Sequence, residues 1–321
     1  MTLHEHRIGR NVGRSIELEV IVKEGIRVGE SHWVFLASDT GSVEGKLHLS
    51  RSGDNKLLIF EPGYPGGWST SLEQKHLPSL VDAGFNVLAI RHSGTIVNGK
   101  HSPLYLNCSE RQLMGGGVLG DADSTISDWL VEPMAAFDAL SGGAGDVYFA
   151  GHSFGALAVL NSLATMKLQG RRHLPKIRRF VSLAGTTGRI RSDDDPIIEM
   201  WRSRIGAEDI REKIAIGSAE QTIGRLVESY GFVHSHGAMI GDMVDSVFVA
   251  VMGKNAEGLD EEILPIEALD IIASMGRGSL VIDTLETAAP GRKAHAMQNL
   301  PSDVLIELLE HGVKGNGPTV I

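Results

Sequence analysis

Asp146-Val-Tyr-Phe-Ala-Gly-His-Ser-Phe-Gly-Ala156 is a short apolar run that breaks into Gly151-x-Ser153-x-Gly155. Glycines on either side of Ser153 let a chain turn from strand to helix within a few residues, where a side chain would obstruct the backbone. Such a turn presents the Ser153 hydroxyl at the carboxyl edge of a sheet, beside the first N–H groups of a helix. In a chain with 39 glycines the five-residue string alone carries little weight. Its context carries it: strand-forming residues precede it, and the helical run Ala156-Leu-Ala-Val-Leu-Asn-Ser-Leu-Ala-Thr-Met-Lys-Leu168 follows.

Outward from this turn the chain alternates between strand and helix patterns. Upstream, Ser15–Val22, His32–Ala37 and Gly45–Leu49 read as strands joined by turns, an antiparallel start to a larger sheet. Lys56–Phe60 is a buried-type strand running into Glu61-Pro-Gly-Tyr-Pro-Gly-Gly-Trp68, too rich in Gly and Pro to be regular. A helix over 71–83 and a strand over Phe85–Ile90 follow. Residues 91–121 are polar and Gly-rich and predict a long surface loop. The helical pattern over 127–140 contains Pro133, which predicts a kink or a late start. Downstream, Arg179–Ala184 is a strand, and residues 190–245 show only helical periodicity, with helices expected over 196–204, 207–216 and 220–230. The alternation resumes with a strand at 246–251, a loop at 252–262, a helix from Pro265 to Ser274, a strand at 279–282, a loop ending at His295 and a helix over 302–311. The reading is an α/β core of residues 1–189 and 246–321, with 190–245 inserted as a helical cap.

Composition bounds the function. The chain has 321 residues, 42% of them hydrophobic, enough for one large α/β domain. Forty acids against thirty bases give a net charge of −10 without a basic block, which argues against nucleic acid as a partner. No stretch has the length of a signal-peptide core or a membrane span, so a cytoplasmic protein is expected, with no stable membrane insertion. One cysteine, Cys108, rules out an internal disulfide and a thiolate zinc cluster, and it reads as an ordinary thiol.

The order of these parts, from about residue 32 onward, resembles the α/β-hydrolase fold: a mostly parallel sheet flanked by helices. Counted from His32, Pro62-Gly-Tyr-Pro-Gly-Gly67 looks like the family's oxyanion loop after the third strand, and Ser153 sits on the elbow after the fifth. The helical insertion after the sixth strand lies where the family carries its cap, in the manner of the serine aminopeptidase and monoglyceride-lipase branch. The resemblance implies acyl transfer through Ser153, with a histidine as general base and a carboxylate orienting it, in the chain order Ser, acid, His. His295 is in the loop between the last strand and the last helix, where the family keeps its base. His311 ends a helix, where a cationic side chain is stabilised without catalysis. For the acid, the distance back from the Pro265 helix start selects Asp260, and the distance forward from Gly253 reaches Glu257; Asp260 is preferred. The backbone N–H groups of Phe154 and Tyr64 are the implied oxyanion donors.

This sequence departs from the family at Pro62, which stands where a histidine commonly braces the loop. His152 reads as packing or pocket lining, since neighbours on a tight turn point apart. His234 and His236 lack an acid at ligand spacing, so no metal site is expected, and no cofactor. The implied activity is hydrolysis of a small-molecule ester, thioester or amide. The alternatives are an acyltransferase using the same acyl-enzyme and a non-catalytic binding protein on the same fold. Apolar Ile197, Met200, Trp201, Phe232 and Met239 in the insertion hint at a hydrophobic acyl group.

Overall fold

A computed structural model describes residues 19–38, 40–64, 66, 72–92, 125–170, 177–185, 195–207, 219–252, 279–285 and 297–310. Among these residues nine strands form one sheet: β1 (Glu19–Lys23), β2 (Ile26–Ser38), β3 (Gly41–Ser50), β4 (Lys56–Glu61), β5 (Phe85–Arg91), β6 (Asp146–His152), β7 (Ile177–Leu183), β8 (Ser246–Met252) and β9 (Ser279–Leu285). Their spatial order is β1-β2-β3-β5-β4-β6-β7-β8-β9. The first three run antiparallel to their neighbours, and β5, β4, β6, β7, β8 and β9 are mutually parallel.

The helices are α1 (Leu77–Asp82), preceded by a π-wound turn at Leu72–His76, then α2 (Thr125–Trp129), α3 (Glu132–Leu140) and α4 (Phe154–Leu168). They continue with α5 (Pro196–Gly206), α6 (Ala219–Ser235), α7 (Gly237–Gly241) and α8 (Ser302–Glu310). The expected helix over 127–140 is two helices. Pro133 falls in the first turn of α3, where its missing N–H costs nothing, so the proline sets a late start.

Strands β4, β5 and β6 read as continuous apolar runs because both faces of the sheet are covered. On one face Leu57, Ile59, Leu88, Val147 and Phe149 pack with α3, α4 and α6. On the other, Leu58, Phe60, Val87 and Ala150 share a core with Leu80 of α1 and Leu305, Leu308 and Leu309 of α8.

The order also fixes where a site belongs. From β4 the chain crosses to β5 on one side, and from β6 it crosses to β7 on the other. The loops after β4 and β6 therefore part at the carboxyl ends of two paired strands, Glu61 lying opposite Gly151. In open α/β sheets ligands bind at such a switch point.

Candidate active site

Ser153 stands on that switch point, between the end of β6 and the first residue of α4. Its backbone has φ 54° and ψ −122°, a conformation that L residues rarely adopt and that functional turns hold under strain. The Ser153 N–H donates to Leu183 O on β7 at 3.0 Å, and its carbonyl accepts from Ala156 N at 3.0 Å, pinning the turn from both sides. Both glycines are required by close approach. A Cβ on Gly151 would lie 2.5 Å from Gly155 O, and one on Gly155 would lie 2.2 Å from Glu61 O.

The loop after β4 meets this turn. Gly63 is so near that a Cβ there would stand 3.0 Å from the Ser153 Cβ and 3.1 Å from His152 Nδ1. Tyr64 follows, its ring 5.8 Å from Trp129 and edge-on to Trp201 of α5 at 5.1 Å. Burial pushes the Tyr64 phenol well above its ordinary range, and the charge of Arg204 only partly opposes this. Phe154 is fully buried, with Trp129 at 6.0 Å and Trp201 at 6.1 Å. An aromatic wall from α2, α5 and the elbow thus backs the loop.

Behind that wall lies a charged group absent from the sequence reading. His92, directly after β5, is buried between Glu61 at the end of β4 and Glu132 at the start of α3. Its Nδ1 is 2.9 Å from Glu132 Oε2 and 3.2 Å from Glu61 Oε1, and its Nε2 is 3.2 Å from Pro62 O. Burial pushes the Glu61 carboxyl up to about 8, against the opposing pull of His92. Burial also works against charge on His92, but its bond to Glu132 and the close approach of Glu61 outweigh this and hold it at about 9. A sequence signal existed: an acid closing the otherwise apolar run Leu57-Leu-Ile-Phe60 is costly unless something inside the protein pairs with it.

Among the described residues, these three offer donor atoms within 4.8 Å of one another, a spacing that suits a metal ion as well as a proton. His236 Nδ1 donates to Phe232 O at 2.7 Å, within its own helical turn. Asp260, Glu257, His295, His311 and Cys108 lie outside the described residues. The described chain resumes at Met297, whose carbonyl accepts from His76 Nε2 at 2.8 Å, while the Ser302 hydroxyl donates to His76 Nδ1 at 2.9 Å. The Lys75 ammonium donates to Gln298 O. The start of the C-terminal segment is therefore clamped to the π-wound turn that follows the loop after β4.

No family model matches the sequence, and no curated protein matches it. Solved structures do match in shape. Carboxyl esterase 2 of the mycorrhizal fungus Tuber melanosporum superposes with a TM-score of 0.53 at 13% identity, covering 89% of this chain and 86% of that one. An esterase from Pyrococcus furiosus gives 0.51 at 14% identity, covering 87% and 89%. A protein from Thermus thermophilus gives 0.51 at 13%, covering 94% and 100%. The fold is that of the α/β hydrolases. The hairpin strand β1 is added at one edge, so the elbow that follows the fifth strand counted from His32 follows β6 of this chain. Among the described residues no helix is long and apolar enough to cross a membrane.

Proposed function

We propose that the protein is a serine hydrolase that cleaves a small-molecule carboxylic ester through an acyl-enzyme on Ser153. The observation that carries this is the Ser153 turn: a non-glycine residue at φ 54°, at the switch point, facing the loop after β4. Strain of this kind persists only where the surroundings over-determine it, and here it holds a hydroxyl beside the N-terminus of a 15-residue helix.

In this reading Ser153 Oγ attacks the substrate carbonyl carbon, and His295 takes the hydroxyl proton and later returns it to the leaving oxygen. Asp260 orients His295, with Glu257 the second candidate, and the Phe154 and Tyr64 N–H groups receive the developing oxyanion. Thioesters and amides pass through the same intermediate. The two esterases of like fold support esters as the first substrates to try. Among the described residues of 190–245, helix α5 reaches the elbow through Trp201, and we assign it to the cap.

Turnover of a panel of p-nitrophenyl and alkyl esters tests the proposal. Ser153→Ala and His295→Ala should each lower kcat by about 10⁴-fold or more. Asp260→Asn should cost more than Glu257→Gln. Full activity in Ser153→Ala would sink the reading, and loss in His311→Ala with full activity in His295→Ala would reassign the base.

A further inference from the structure

The hydrogen bonds around His92 constrain its protonation. Pro62 O is a carbonyl and can only accept, so Nε2 carries a proton. Nδ1 faces two carboxyl groups, 2.9 Å from Glu132 Oε2 and 3.2 Å from Glu61 Oε1, an arrangement that favours a second ring proton. The ring is also gripped on its faces. Trp129 stacks on it at 4.3 Å with the planes 11° apart, and Phe154 meets it edge-on at 5.5 Å. At Gly66 the loop passes so close that a Cβ would fall 2.2 Å from His92 Cδ2. One buried ring thus touches the loop at Pro62 and Gly66 and the side chain of Phe154. These are the two backbone segments whose N–H groups the hydrolase reading assigns to the oxyanion.

We infer that His92, held as an imidazolium by Glu132 with Glu61 alongside, is the positioning residue of the oxyanion loop, in the role left open by Pro62. The inference rests on the hydrolase reading of Ser153. A loop rich in Gly and Pro has little regular hydrogen bonding of its own, and Pro62 contributes no N–H. Oxyanion donors act only when fixed within a fraction of an ångström of where charge develops, so a bond from a rigid, sandwiched ring to the first residue of the loop converts directly into catalysis. His92 itself touches neither substrate nor reacting atoms. A metal ion at Nδ1 in place of the proton is the competing account of the same cluster, and it leaves a different signature.

The test compares the wild type with His92→Phe, His92→Gln and Gly66→Ala, on an ester that the wild type turns over. His92→Phe keeps the stacked ring and removes the donor, and it should lower kcat about 100-fold with KM within about threefold. His92→Gln carries an amide nitrogen that reaches toward Pro62 O and should recover kcat to within about tenfold of wild type. If His92→Phe does not fold, Gly66→Ala makes the same comparison, because it displaces the loop from the ring and leaves the buried charges intact. Proton NMR of the wild type near neutral pH should show two exchange-protected imidazole N–H signals that vanish in His92→Gln. Unchanged kcat in a folded His92→Phe or Gly66→Ala overturns the inference and leaves the hydrolase reading standing. A singly protonated His92, or a stoichiometric metal found by elemental analysis and lost in His92→Gln, also overturns it. A wild type that turns over no ester removes both.

Discussion

A proton balance is the sharpest property of individual residues in this protein. Folding holds Glu61 at about 8 against its ordinary 4.5 and His92 at about 9 against 6.5. Both groups bind their protons more tightly in the folded chain than in the unfolded one, so both favour folding at low pH and lose that advantage as pH rises. For His92 the contribution is complete below 6.5 and gone once pH passes about 9. His76 runs the other way. Burial lowers it, aided by Lys75 and against its bond to Met297, so its contribution holds above 6.5 and fades in acid. Between pH 6.5 and 9, Glu61 and His92 are the groups among these that titrate. The melting temperature should therefore decline steadily across that window and decline less in His92→Gln. A flat or rising profile in the wild type, followed by scanning calorimetry, contradicts the assigned charges.

Among the elements, α6 and α7 of the inserted helical segment join the core around the helix that leaves the elbow. Both pack against α4, the helix that leaves the elbow, and Ser229 Oγ on α6 donates to Asn161 Oδ1 on α4 at 3.2 Å. Leu226, fully buried, faces the same core as Leu157 and Leu160. Leu226→Ala should cost about 2–5 kcal/mol in denaturant unfolding, with kcat/KM in the folded protein changed less than threefold. A large change in KM with little loss of stability would instead make α6 part of a substrate lid. The helix expected over 220–230 lies within α6, because apolar residues recur at helical spacing there. The sequence could not say which surface that stripe covers, since the stripe is the same whether the helix lies on the flank or over the end. Trp201 shows the converse: its type and helix were legible, but its approach to Tyr64 and Phe154 depends on how distant segments meet.

At the scale of the whole molecule, the sheet was legible because each parallel strand is an apolar run punctuated by Gly and Pro, and the elbow because its two glycines answer to close contacts. The Glu61–His92–Glu132 cluster was not, because its members come from three segments with nothing periodic between them. What the fold adds to Gly151-x-Ser153-x-Gly155 is position: it places Ser153 at the point where the chain parts in both directions, with the loop after β4 against it. If that arrangement activates the hydroxyl, Ser153 should react with a fluorophosphonate probe and the other serines should not. Intact-mass spectrometry of the full chain should then show one adduct per molecule, mapping to the peptide containing Ser153 and absent in Ser153→Ala. No adduct on the wild type, or an undiminished adduct on Ser153→Ala, would contradict the account.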